Sequence, residues 1–363
     1  MIDKNLPKTL STKVVSHPKF ERCLNRVLAK IQHDRSTRFG LVIGVTGVGK
    51  TTLMKQLNYL LYLKSRNSKD TNPPISVTMF SPELKVFAWK EFYENSLQSA
   101  FNEPGVGRKC DLNQMESHYI ATGEKRQYRV KTVGQLRRIF INSSEDRAPI
   151  ALFIDEIHHL AKVTNSERTH VNLDVLKSLS DHISSPLISF GTAKAYEMLD
   201  TNDEASRRAD VIHFENYGTS NEDIWVFAEI LKALTHELKV PFAKELQFNT
   251  AYFYERSLGC VGILMDWVIS SLALAIADNA RVLAKAHLDD NALGSKQARS
   301  IASAINTTQE FIKADEQFSV LDLLGETPDL FEVEPPNQTS LRKPGKRNPT
   351  QDPTGDRLEE ALS

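Results

Sequence analysis

One octapeptide, Gly44-Val45-Thr46-Gly47-Val48-Gly49-Lys50-Thr51, constrains this chain more than any other segment. It satisfies the pattern GxxxxGK[ST] and follows directly on a short apolar run, Phe39–Ile43. Glycines at such spacing let backbone N–H groups turn inward around a phosphate, and the start of the next helix adds partial positive charge there. The motif demands a strand before it and a helix after it. The apolar run supplies the first, and Thr51–Leu63 reads as the second. The expected nucleotide contacts are Val45, Thr46, Gly47, Val48, Gly49, Lys50, Thr51 and Thr52, with Lys50 reaching the β- and γ-phosphates and the Thr51 hydroxyl ligating Mg²⁺. ATP and Mg²⁺ are the cofactors this implies.

Further strands are expected at Ile75–Phe80, Ile150–Ile154, Pro186–Phe190 and Val211–Phe214, with helical segments between them. The run Ile150–Ile154 is continuously apolar, as suits a central parallel strand buried on both faces. This alternation predicts an α/β layered sheet. Pro18 opens a helix with Phe20, Leu24, Val27, Leu28 and Ile31 on one face, while residues 1–17 read as polar and irregular. After Asn221 the pattern is helical only, with helices expected over 221–238, 243–256 and 262–286. From Glu332 onward there is no aromatic residue, and that tail reads as disordered. The expected domains are an N-terminal segment and helix at 1–38, an α/β core at 39–218, a helical lid at 219–330 and a tail at 331–363.

A phosphate loop binds nucleotide; hydrolysis also needs a positioned water and neutralised charge. Asp155 and Glu156 end the run Ile150–Ile154, at the carboxyl edge of a buried strand, where ligand sites of such sheets lie. Asp155 is expected to hold the Mg²⁺ shell and Glu156 to act as general base on water. His158 and His159 follow. Adjacent residues point to different sides of regular structure, so these two are expected to share no metal and rather to orient Glu156, meet a neighbouring subunit or pack. The run Leu187–Thr192 reads as a strand ending in a hydroxyl residue, and Thr192 is a candidate to contact the γ-phosphate or the water. Arg207 and Arg208 precede the last strand and are candidates to reach a neighbouring subunit's γ-phosphate.

The net charge of −1 excludes a globally basic chain, so nucleic-acid contact must come from a local patch. Lys125, Arg126, Arg129 and Lys131, interleaved with Tyr128, form the best one, and Arg108 with Lys109 a weaker one. Cys23, Cys110 and Cys260 lie far apart, in no zinc-site spacing. No apolar leader opens the chain, and the uncharged run at 267–277 is shorter than the roughly 20 residues a bilayer needs. A cytoplasmic protein without membrane contact is expected.

Together these motifs resemble the AAA+ ATPases that regulate transposition, the TnsC/TniB group. The resemblance rests on Ser16-His17-Pro18, the GVTGVGKT loop, LFIDEIHHL, LISFGT, Ser206-Arg207-Arg208 and Gly259-Cys260-Val261-Gly262, and covers roughly residues 12–285. It implies an AAA+ core with a small helical lid. It also implies ATP-dependent assembly into rings or filaments on double-stranded DNA, an assembly that recruits transposase subunits and links a target-selector protein (TniQ/TnsD-type or CRISPR-linked) to them. Hydrolysis then disassembles the polymer. The resemblance makes Arg207 the best arginine finger, with Arg208 in reserve, and Thr192 the best sensor. The lid helix from Gly262 lacks the arginine many AAA+ proteins place there. Two other readings fit the residues: a helicase-loader or replication-initiator ATPase, and a nucleotide-gated scaffold that does not hydrolyse, which Glu156 disfavours.

Overall fold

The strand and helix signals of the first two thirds of the chain converge on one parallel sheet. The structure, a computed structural model, describes residues 2–33, 39–67, 72–82, 87–102, 132–162, 166–200, 209–247 and 249–317. Two helices open the chain, α1 (Leu6–Thr12) and α2 (Pro18–His33). Then come β1 (Phe39–Ile43), α3 (Lys50–Arg66), β2 (Ile75–Thr78), α4 (Trp89–Asn102) and α5 (Val133–Arg147). Next are β3 (Leu152–Asp155), a 3₁₀ turn (Ile157–Lys162), α6 (Ser166–His182), β4 (Leu187–Gly191), α7 (Ala193–Asp200) and β5 (Ala209–His213). Five helices follow: α8 (Asn221–His236), α9 (Thr250–Ser257), α10 (Val261–Ala277), α11 (Lys285–Asp290) and α12 (Ser295–Gln317).

The strands lie in the order β2-β3-β4-β1-β5, each pair parallel. Every residue of β1, β3 and β4 is buried, which explains why these runs are apolar without alternation, whereas edge strand β2 alternates. The pleat divides them between two cores. Leu41, Ile43, Leu152, Ile154 and Leu187 meet Phe92, Tyr93, Phe140, Leu176 and Leu179 of α4, α5 and α6 on one face. Val42, Phe153, Ile188, Phe190 and Ile212 meet Phe20, Cys23 and Val27 of α2 and Leu53 and Leu57 of α3 on the other. Register aligns the carboxyl ends: Ile43 pairs with Gly191 and His213, and Thr78 with Asp155. The residues that follow these five strands therefore crowd one edge.

A third core joins α8 to α11 around Phe227, Leu264, Trp267 and Leu272. Three departures from the sequence reading concern this region. Residues 6–12 are helical, and Ile2 and Leu10 are buried among the side chains of α8 to α11. The helix expected over 243–256 starts only at Thr250, where the Asn249 side chain accepts from the Tyr252 N–H at 3.2 Å; before it, Phe242 bridges to Leu283. The helix expected to reach 286 stops at Ala277 because Asn279 turns left-handed (φ 53°), although the apolar pattern runs on through Val282 and Leu283. The last helix, α12, returns to the sheet: Ile305 joins the α2–α3 core, and the Phe311 ring lies 5.1 Å from that of Tyr196. Among the described residues no single helix is long and apolar enough to cross a membrane.

Candidate functional site

The loop between β1 and α3 is built as its sequence demands. Gly47 and Gly49 have φ of 80° and 115°, values a side chain disfavours, and these turn the loop back on itself before α3 begins at Lys50. At Gly44 a Cβ would stand 2.5 Å from the Phe214 carbonyl oxygen, so the strand-to-loop corner has no room for one. Lys50 is buried, and its Nζ donates to the carbonyls of Gly44 (2.8 Å) and Val45 (3.0 Å). Burial lowers its pKa from 10.5 to about 8, against the attraction of Glu156 and Asp155. A cation held in a nearly dry pocket facing two acids is primed for a polyanion.

Asp155 closes β3 and is buried. Thr51 Oγ1 donates to its Oδ2 at 3.1 Å, and the Glu156 N–H donates to its Oδ1 at 2.9 Å. Burial raises the Asp155 pKa, partly offset by those two donors. The adjoining hydroxyl and carboxylate are hard oxygen donors of the kind Mg²⁺ takes, so this pair fits that ion.

Glu156 adopts a left-handed backbone (φ 60°), unusual for a residue with a side chain, as the chain leaves the strand for the 3₁₀ turn. His158 Nδ1 lies 2.9 Å from Glu156 Oε2, and this neighbour holds the glutamate below the usual carboxylate range. Here the expectation that the two histidines diverge is corrected. The ligand atoms of Glu156, His158 and His159 all lie within 4.8 Å of one another, and the two rings are 4.5 Å apart. The cause is the 3₁₀ turn, in which the His159 N–H bonds the Glu156 carbonyl at 3.0 Å and side chains three apart eclipse.

Thr192 directly follows β4, the strand between β1 and β3, so the order of the sheet sets it between the phosphate loop and the acid pair. The Gly44 N–H donates to the Gly191 carbonyl at 3.1 Å, locking that corner of the loop to the residue before Thr192. Arg207, Arg208, Arg108, Lys109 and the patch Lys125, Arg126, Arg129 and Lys131 lie outside the described residues.

Two contacts were not foreseen. The Ile263 N–H of α10 donates to the Gly47 carbonyl at 3.0 Å, and Gly262 presses on the loop. Beneath the loop, buried His17 shares Nδ1 with the Tyr217 hydroxyl at 2.8 Å, and its ring stacks 6.3 Å from Phe214. The motif Ser16-His17-Pro18 marked the place but not the partners.

Residues 32–199 match the family model described as an AAA domain. With its five-stranded parallel sheet and helical C-terminal region, the chain has the fold of AAA+ P-loop ATPases. The chain is also similar to solved structures. The Aeropyrum pernix ORC1 protein, in a structure with DNA, is 15% identical, with 78% of this chain and 68% of that one covered, at a TM-score of 0.53. A Walker-type ATPase of Pyrococcus abyssi is 14% identical over 84% of this chain and 77% of its own, at 0.45. Domain III of the Thermotoga maritima replication initiation protein DnaA is 12% identical over 84% and 98%, at 0.44. The likeness to the ORC1 protein is one of fold. No curated protein matches the chain in sequence.

Proposed function

We propose that this AAA+ protein hydrolyses ATP and uses the cycle to assemble on, and leave, double-stranded DNA as a regulator of transposition. The observation that carries the ATPase reading is the Thr51–Asp155 hydrogen bond of 3.1 Å, which joins the phosphate loop to the acid pair in a single site. In this reading the loop from Val45 to Thr52 and Lys50 hold the triphosphate. Thr51 and Asp155 hold Mg²⁺, which neutralises charge on the phosphates when bound. Glu156 takes a proton from the attacking water as the water oxygen bonds to the γ-phosphorus; the bond to the β–γ bridging oxygen breaks, leaving ADP and inorganic phosphate. Thr192 steadies the γ-phosphate or the water, and Arg207, with Arg208 in reserve, completes a neighbouring subunit's site.

The DNA and transposition reading is supported by the set of motifs shared with the TnsC/TniB group, above all Asp155-Glu156-Ile157-His158-His159-Leu160, and by the basic run at 125–131. Its partners are double-stranded DNA, further copies of this chain, transposase subunits and a target selector. A replication-initiator or helicase-loader role is the second reading, favoured by the fold likeness to the DNA-bound ORC1 protein. The deciding experiment measures ATPase activity with and without duplex DNA, images ATP-dependent assemblies by electron microscopy, and identifies co-purifying proteins. DNA-stimulated turnover, polymers on duplex and a transposase partner are expected. Turnover without any DNA response removes the DNA reading, and a replicative helicase as partner selects the second reading. A Lys50→Ala variant that still assembles normally with ATP would refute the role of the loop.

A further inference from the structure

The helical region touches the phosphate loop through a backbone hydrogen bond as well as through the Ile263 side chain. Cys260, which precedes α10, provides no side-chain cap, so the first N–H groups of that helix must find acceptors elsewhere. The Ile263 N–H finds the Gly47 carbonyl at 3.0 Å. The approach is as close as backbone permits: a Cβ on Gly262 would lie 2.4 Å from Gly47 O and 3.3 Å from Gly49 N. On the other side, a Cβ on Gly47 would lie 2.4 Å from Ile263 Cγ1. Two glycines, one on each element, make the contact possible.

The contact governs the shape of the loop. Residues 45–48 form a turn closed by the Val48 N–H on the Val45 carbonyl at 3.3 Å, with Gly47 at the left-handed position that a type II turn requires. In a planar trans peptide the Gly47 carbonyl and the Val48 N–H point in opposite directions. Anchoring the carbonyl on α10 therefore aims the Val48 N–H away from α10, toward the side where Lys50 Nζ also rests on the Val45 carbonyl. Both donors rest on one carbonyl oxygen and are of the kind a phosphate oxygen attracts.

We infer that Gly262 and Ile263 are positioning residues of the nucleotide site: the first turn of α10 holds the Gly47–Val48 peptide in its phosphate-accepting orientation. This backbone tie, rather than an arginine, links the helical region to the nucleotide. The inference rests on the loop being the nucleotide site and adds how the C-terminal helices take part in it. Because Gly47 O cannot keep its partner if α10 shifts, motion of α10 and grip on the phosphates change together.

The test is Gly262→Ala in the full chain, with Gly134→Ala, where a Cβ meets nothing within 4 Å, as the control. Affinity for ADP is expected to fall roughly tenfold, the worth of one good hydrogen bond to a charged acceptor, while AMP affinity and the unfolding midpoint match the control. Ile263→Val keeps the N–H and is expected to keep ADP affinity. Amide exchange in the nucleotide-free protein gives a readout independent of turnover: the Ile263 N–H is protected in the wild type and exposed in Gly262→Ala. Unchanged ADP affinity in Gly262→Ala overturns the inference, as does fast exchange at Ile263 in the wild type. If the wild type binds no nucleotide, the proposed function fails, and the exchange at Ile263 still decides whether the tie exists.

Discussion

Thr51 and Asp155 stand 104 positions apart in the chain and meet through one hydrogen bond of 3.1 Å. One lies in the first turn of α3, which follows β1, the other ends β3, and β4 lies between those two strands. The sheet thus brings a hydroxyl and a carboxylate together from residues whose local sequences have nothing in common. Several expectations depend on that edge.

Replacing Glu156 with Gln keeps the shape of the side chain and removes its basicity. ATP binding is expected to persist while turnover drops by roughly a hundredfold or more, leaving long-lived ATP-bound assemblies. Rapid phosphate release measured in this variant would move the general base elsewhere.

His158 keeps Glu156 acidic. With His158→Ala the glutamate pKa rises, so the base is protonated at a higher pH than before. The acid limb of the kcat/KM profile is expected to move upward in pH, with the alkaline limb unchanged. A pH–rate profile identical to that of the wild type would show that the contact has no part in turnover.

In nucleotide-free protein the buried Lys50 is a burden on the fold. Its pKa of about 8, against 10.5 for the free group, means that the unfolded chain holds the proton between these values and the folded chain sheds it. Stability is therefore reduced below about pH 8 and recovers as pH rises toward 10.5. Nucleotide-free Lys50→Met is expected to be more stable than the wild type near neutral pH by roughly 3 kcal/mol, with the difference shrinking in alkali. Denaturant titrations of both proteins across this range test it; equal stability throughout would contradict it.

His17 works in the opposite pH range. Burial, aided by Lys19, lowers its pKa from 6.5 to about 4. The folded state keeps the ring neutral where the unfolded chain would protonate it, so stability is full above pH 6.5 and falls as pH drops toward 4. His17→Gln is expected to remove roughly 3 kcal/mol of that acid-side decline. An unchanged slope in the variant would rule out His17 as its source.

Reversing the charges of Lys125, Arg126, Arg129 and Lys131 is expected to weaken duplex binding steeply at low salt and leave ATP affinity alone. Fluorescence anisotropy with labelled duplex measures the first and calorimetry the second. Duplex affinity equal to that of the wild type would place the contact elsewhere.

What could be read from the residues was the chemistry that is contiguous in the chain. The loop at 44–51 and the acids after Ile154 are local patterns with local physics, and the structure brings them to one edge. The strands were found to within two residues because β1, β3 and β4 are buried throughout and show it in composition. The ends of α9 and α10 were misplaced because apolar spacing says nothing about Asn279 turning left-handed or about Phe242 and Leu283 pairing. The convergence of Glu156 with both histidines was hidden for a related reason: a 3₁₀ turn and an α-helix share a hydrophobic pattern over so short a span, yet aim side chains differently. Gly262 was noticed only as the start of a helix; its contact with Gly47 spans the whole fold and leaves no trace in either segment.

The burial of Ile2 and Leu10 beside α10 has a practical consequence. Trimming the chain back to Pro18 would strip a hydrophobic cover from the very helix that touches the phosphate loop. The fragment would keep its complete nucleotide motifs and still be expected to clump, and its poor behaviour would be misread as a defect of the catalytic centre.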